Sequence, residues 1–246
     1  MSIFDVRRRA PTRSTFTVLF WWTVVANLVR GAFWLVYRLR CAGRAHVPRH
    51  GPIVYVANHQ SHYDPAIVGC LVADRPLVSL ARASLYAVKP LAWVIRQIGA
   101  IPVRLGRADA AAMRAAIAEL RGGGCVLIFA EGSRTRDGAL GPFKPGVLTI
   151  LKRANASVVP IAIEGAFDVW PIGRKYPKLR GRIRVKAGAA IPGDELLSDP
   201  PDVAMDRLRH QIETMRLELR HELRQATNGR YPAPAPGDAP YWQREV

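Results

Sequence analysis

From Arg40 onward, short apolar runs alternate with stretches of helical character, and that alternation is the signature of strands and helices packed in layers. Residues 52–57 (PIVYVA) read as a buried strand, and residues 65–72 as a helix with Pro65 at its first position. Residues 76–80 read as a strand, residues 85–98 as a helix broken near Pro90, and residues 100–103 as a short strand. Asp109 is placed to cap an alanine-rich helix over 110–121, which Gly122, Gly123 and Gly124 end. Residues 125–130 (CVLIFA) form a further buried strand, followed by a helix over 146–154 and strands over 157–163 and 183–187. A long amphipathic helix dense in Arg and Glu spans 202–225. The tail over 231–246 is rich in Pro and Ala and is expected to be poorly ordered. No internal repeat is present, and the pattern predicts one α/β domain over 40–226, preceded by a separate segment, 1–39, and followed by a tail, 227–246.

The N-terminal segment is of another kind. After Arg7, Arg8, Arg9 and Arg13 comes an apolar run over 15–29 (TFTVLFWWTVVANLV); Arg30 interrupts it and residues 31–37 (GAFWLVY) resume it. The first run falls short of the roughly 20 residues a spanning helix needs, and reading through Arg30 places a charge inside the segment. No small-residue cleavage site follows, which disfavours a signal peptide. Arginines flank the run on both sides, so there is no charge asymmetry to orient a span. The favoured expectation is therefore a helical hairpin dipping into one leaflet, with both ends cytoplasmic and Arg30 near the turn. A single span and a buried helix are the alternatives. Trp21, Trp22 and Trp34 favour the membrane interface over a dry core.

Charge narrows the partners. Thirty-six Lys and Arg face 19 Asp and Glu, a net charge of +17, which calls for an anionic partner: membrane lipid, nucleic acid or a phosphorylated substrate. No zinc-finger spacing, basic zipper or ribonucleoprotein motif accompanies it, so no nucleic acid is expected. Cys41, Cys70 and Cys125 are odd in number, sit among apolar neighbours and have no metal-like spacing, which suits a reducing, cytoplasmic compartment.

Two stretches carry chemistry. In Asn58-His59-Gln60-Ser61-His62-Tyr63-Asp64, at the exit of a strand, His59 and Asp64 are too far apart in sequence for one helical face, yet a loop closing on a helix N-terminus can join them. An imidazole titrating near neutrality can take a proton from a hydroxyl, and a partnered carboxylate fixes its tautomer. Asp64 before Pro65 also reads as an ordinary helix N-cap. His59, His62 and Asp64 as a metal site find no further ligands in the chain, and no metal or cofactor is expected. The second stretch, Phe129-Ala130-Glu131-Gly132-Ser133-Arg134-Thr135, leaves another buried strand, and its Glu, Gly and Arg offer an acceptor, a close backbone approach and an anion clamp, or simply a surface turn.

Together these blocks resemble the glycerolipid acyltransferases, the family that includes the 1-acylglycerol-3-phosphate acyltransferases. Asn58, His59 and Asp64 match its Asn-His-x-x-x-x-Asp block, and Glu131 to Arg134 match its Glu-Gly-Ser/Thr-Arg block. Phe143-Lys144-Pro145-Gly146 and the Pro160 strand follow in the family's order. The resemblance covers residues 51–165, with looser similarity to 191, and implies a mixed sheet flanked by helices. It implies that His59, oriented by Asp64, deprotonates an acceptor hydroxyl that attacks an acyl thioester of coenzyme A or acyl carrier protein. Glu131 would then orient a lyso-lipid head, Arg134 would hold its phosphate, Gly132 and Ser133 would belong to the same substrate-binding block, and backbone N–H groups near Gly132 would face the oxyanion. The implied product is phosphatidic acid, made at the cytoplasmic face of the inner membrane on an anionic surface. One departure stands out: the family's second arginine position falls on Leu105, leaving Arg104 and Arg107 as the candidate phosphate ligands. Arg82 stands where many relatives carry Lys. That departure keeps another acceptor open, such as lyso-ornithine lipid, and a membrane-surface binding module is the non-enzyme alternative. No Gly-x-Ser-x-Gly elbow is present.

Overall fold

The computed structural model of the chain describes residues 16–82, 101–103 and 110–244. Helix α1 (Phe16–Tyr37) is followed by strand β1 (Arg40–Ala42) and a 3₁₀ turn, Arg44–His46. Strand β2 (Ile53–Ala57), helix α2 (Asp64–Leu71) and strands β3 (Val78–Arg82) and β4 (Ile101–Val103) come next. Then follow α3 (Ala110–Arg121), β5 (Cys125–Phe129), α4 (Gly146–Ala154), β6 (Ser157–Glu164) and the one-turn α5 (Ala166–Val169). Strand β7 (Arg184–Ala187), α6 (Gly193–Ser198), the long α7 (Pro201–Gln225), a 3₁₀ turn (Pro236–Asp238) and α8 (Tyr241–Arg244) complete the described order. The helix expected over 85–98, the Asp109 cap, Arg104, Leu105 and Arg107 lie outside the described residues.

The strands form one 7-stranded sheet in the order β1-β7-β6-β2-β5-β3-β4. Only β6 and β7 pair antiparallel, so the sheet is mixed, as the resemblance implied. Side chains alternate across it with the strand period of two. Ile53, Tyr55 and Ala57 of β2 join the core under α1 and α2, while Val54 and Val56 join the core under α3, α4 and α7. Both faces of the central strands are covered, which is why β2 and β6 read as unbroken apolar runs.

Two expectations are corrected, and a third feature is new. Residues 16–37 form one continuous helix through Arg30, so there is no hairpin turn. Its inner face is part of the core: Leu19, Trp22, Phe33 and Tyr37 are buried, and Trp22 Nε1 donates to Ala73 O at 2.8 Å. The outer face leaves Phe16, Phe20, Leu28, Trp34 and Leu35 exposed. Trp22 thus belongs to the core and Trp34 to the surface, a division that composition cannot express. Second, the tail is packed. Tyr231 Oη donates to Gly165 O at 2.8 Å, Asp238 receives Arg224 at 2.8 Å, and buried Tyr241 donates to Asp206 at 2.6 Å. Third, β1 was not anticipated: three residues, Arg-Cys-Ala, hold the edge by pairing with β7 and carry no apolar signal.

Candidate active site

Register brings the two chemical stretches together. Ala57, the last residue of β2, pairs with Phe129 of β5 on one side and Ile161 of β6 on the other. The residues leaving β2 and β5 therefore emerge side by side at the carboxyl edge of the parallel strands, where ligands of open α/β sheets bind. Asn58 then extends the ladder with its side chain: Nδ2 donates to Ile163 O at 2.9 Å and Oδ1 accepts from Ile163 N at 2.7 Å. This double bond fixes where His59 starts.

Asp64 is fully buried, and its Oδ2 collects three donors: His59 Nδ1 at 2.8 Å, Gln60 N at 2.6 Å and Ser61 N at 2.7 Å. The carboxylate looks back into the loop and makes no cap bond to its own helix, so the N-cap reading gives way to a loop-closing role. Because a carboxylate flanked by backbone N–H groups accepts, Nδ1 of His59 carries the proton and Nε2 of the neutral ring is left as a base. The His59 ring stacks on Phe129, with centroids 3.9 Å apart and planes 13° apart, and its side chain remains 19% exposed. The ring is thus held at Nδ1 by Asp64 and on one face by Phe129, and stays partly open to solvent.

Glu131 braces this loop. Its Oε1 accepts from His59 N at 2.7 Å and its Oε2 from Gly141 N at 2.9 Å, while Thr135 N donates to His59 O at 2.8 Å. The carboxylate expected to orient a lyso-lipid head is thus turned inward onto the backbone of His59. Burial pushes its pKa up to about 7, with the two backbone N–H bonds pulling the other way. Gly132 sits at φ 74, a conformation suited to glycine, and its N–H donates to Phe129 O at 3.0 Å, so it is not aimed at an oxyanion. A Cβ on Gly132 would lie 2.9 Å from Lys144 Nζ. Lys144 therefore lies over this turn beside exposed Ser133 and half-buried Arg134. The Phe143–Gly146 turn was visible in the sequence, but its lysine was not among the expected site residues; nor was Phe129, which reads as an ordinary strand residue.

Other nucleophiles are remote from such a role. Cys125 is buried and burial pushes its thiol up to about 11; Cys70 is pushed up to about 12 for the same reason. Among the described residues no group of three or more His, Cys, Asp or Glu is arranged to hold a metal ion. His62 is exposed and its ring lies 4.5 Å from that of Trp170. The inner end of α1 reaches the same loop, with the Phe33 and Tyr37 rings 4.9 and 5.7 Å from that of Tyr63.

The fold and the site define a class: an α/β protein that presents a carboxylate-held histidine base and a cationic turn at the carboxyl edge of its sheet. A family model described as acyltransferase matches residues 38–164, just over half of the chain. The chain is 32% identical over 192 residues to the lyso-ornithine lipid O-acyltransferase of Pseudomonas aeruginosa, covering 72% of this chain and 70% of that protein. It is 30% identical to the chloroplastic 1-acyl-sn-glycerol-3-phosphate acyltransferase BAT2 of Brassica napus, over 68% of this chain and 47% of that one. It therefore spans about half the length of that relative. The crystal structure of the 1-acyl-sn-glycerophosphate acyltransferase PlsC from Thermotoga maritima superposes with a TM-score of 0.70 at 25% identity, covering 80% of this chain and 79% of that one. The chain belongs to the acyltransferase family.

Proposed function

We propose that this protein transfers a fatty acyl group from acyl-coenzyme A or acyl carrier protein to the sn-2 hydroxyl of 1-acyl-glycerol-3-phosphate, giving phosphatidic acid. The observation that carries the reading is the His59–Asp64 pair at 2.8 Å, open at the carboxyl edge beside the Gly132–Arg134 turn. His59 Nε2 takes the proton of the acceptor hydroxyl as its oxygen attacks the thioester carbonyl, and Asp64 stabilises the imidazolium that forms. The tetrahedral intermediate collapses, its C–S bond breaks, and the departing thiolate takes the proton back from His59. No acyl-enzyme is needed. Arg134 and Lys144 supply cations for the acceptor phosphate, with Arg104 and Arg107 as further candidates, and Glu131 acts as a positioning residue through the His59 backbone.

The acceptor is an amphiphile, and α1 supports delivery from a leaflet. Its inner face is held against the core from Leu19 to Tyr37 while its outer face is apolar and exposed. A helix bound sidelong to a globular domain favours insertion into one leaflet at the cytoplasmic face of the inner membrane over a span. Residues 19–37 alone are long and apolar enough to cross among the described residues. Arg30, on the exposed side, would snorkel to the headgroups.

A second acceptor, lyso-ornithine lipid, is favoured by Leu105 at the family's second arginine position and by the similarity to the Pseudomonas protein. Washed membranes offered both acceptors with a radiolabelled acyl donor decide between them. Preference for the lysophosphatidic acid is expected; preference for the zwitterionic lipid reassigns the acceptor, and transfer to neither rejects the reading.

A further inference from the structure

Between α5 and β7 the chain makes a long excursion over residues 170–183 that the proposed catalysis does not use. It contains no acidic residue, and Arg174, Lys175, Lys178 and Arg180 are all exposed. Among them stand Tyr176 and Leu179, 67% and 82% exposed. Leaving a leucine that far in water gains nothing for folding, and the alternation of cations with protruding apolar side chains suits the boundary between headgroups and acyl chains. The segment is also held in shape. Trp170 Nε1 donates to Arg174 O at 2.9 Å, Lys178 N to Val169 O at 3.0 Å, and Arg174 Nε to Tyr176 O at 3.0 Å.

Its position in the fold gives it a partner. The segment leaves from the end of β6 that carries Glu164, so it overhangs the edge where His59 sits, and Ser61 Oγ donates to Trp170 O at 2.9 Å. At its far end it joins the base of α1: Ile183 N donates to Tyr37 O at 3.1 Å, and Arg184 Nη1 to Arg38 O at 3.0 Å. Apart from Val203 and Trp242, every large exposed hydrophobic side chain among the described residues belongs to α1 or to this segment. An open cleft of about 420 Å³ beside it is lined by Lys178, Arg180, Arg182 and Arg230 with Tyr231, and by one acid, Asp168. That is room and charge for a headgroup phosphate.

We propose that residues 170–183 form a second membrane contact, which docks the active-site edge of the sheet onto an anionic phospholipid surface while α1 supplies the apolar anchor. The inference rests on the reading of the chain as an enzyme of membrane lipids. Two attachment points, one apolar and one cationic, fix the orientation of the site towards the leaflet that holds its acceptor, which a single helix does not.

The test uses the full chain with sedimented vesicles of phosphatidylcholine alone or mixed with phosphatidylglycerol. One variant carries Arg174→Gln, Lys175→Gln, Lys178→Gln and Arg180→Gln; a second carries Tyr176→Ser and Leu179→Ser. The wild type should bind the anionic vesicles tighter by on the order of ten-fold or more. The first variant should lose most of that preference yet keep its binding to neutral vesicles, and the second should bind both kinds more weakly. Acyl transfer to acceptor in detergent micelles should match the wild type in both, while transfer on anionic vesicles falls. Unchanged binding and vesicle turnover in both variants would overturn the proposal. So would a loss confined to acyl carrier protein as donor, which would make the segment a carrier-docking surface. Absence of transfer by the wild type in micelles would reject the enzymatic reading, and the vesicle comparison would still decide the docking.

Discussion

At the scale of single residues, the site is built from polar groups that each satisfy more than one partner. Asp64 holds the imidazole and closes the loop that carries it, so His59 and Asp64 are expected to differ in what they break. His59→Ala should lower acyl transfer by about 10²–10⁴-fold with attachment to membranes retained, because it removes the base and leaves the loop closed. Asp64→Asn should lose activity and thermal stability together, since an amide oxygen in the place of Oδ2 brings no negative charge to its three donors and the NH2 in the place of Oδ1 would be buried without an acceptor. Steady-state transfer and thermal melts of both variants check this, and undiminished turnover in His59→Ala would sink the mechanism. Glu131 adds a pH signature. Its pKa is lifted by burial from the ordinary 4.5 to about 7, so between those values the folded chain keeps a proton that the unfolded chain has released. Its contribution to stability therefore falls as pH rises through that window and levels off above it. The melting temperature of the wild type relative to Glu131→Gln should decline between about pH 5 and about pH 7. A difference independent of pH would show the carboxylate to be ionised throughout.

Among the elements, α7 has the least ordinary interior. Arg216 is fully buried and bonds Glu213, Glu164 and the carbonyl of Gly237, while Arg220 reaches Glu164 and Asp238. Glu164 ends β6 and accepts from Gln60, the neighbour of His59, at 3.3 Å. The network thus ties α7 and the tail to the loop of the base. Arg216→Met would take the nearest cation from buried Glu213 and one of the two guanidinium partners from Glu164, and a loss of about 3–5 kcal/mol in urea denaturation is expected. Deleting residues 231–246 removes Asp238 and the Gly237 carbonyl and should cost at least about 2 kcal/mol. A tail that could be cut without effect would be the disordered appendage its composition describes. Strands such as β2, β5 and β6 were legible because burial on both faces writes a continuous apolar run. The ordered tail was not, because its stability comes from arginine partners on the preceding helix α7, which only the fold of the chain back along that helix brings into reach.

For the molecule as a whole, α1 decides how attachment can be tested. Removing residues 1–38 would take away all of α1 and uncover the core face of α2 that it covers, so release from membranes would be confounded with unfolding. Leu28→Glu with Leu35→Glu alters only exposed positions. That pair should shift the protein from the membrane pellet towards the supernatant in high salt, with its melting temperature held. Retention in the pellet would place the main anchor elsewhere, and the basic segment over 170–183 would be the first candidate.

The sequence by itself determined the alternation of strands and helices, the +17 charge and the order of the His59–Asp64 and Glu131–Arg134 blocks, because each is a local pattern of residue types. Tertiary structure alone decided that Glu131 grips the backbone of His59, that α1 has one face in the core and one outside, and that the tail is pinned. All three depend on which distant segments become neighbours. For the site, that is set by the register of Ala57 against Phe129 and Ile161 across the sheet. Register follows from packing both faces of β2 at once, and no local window of the chain contains that information.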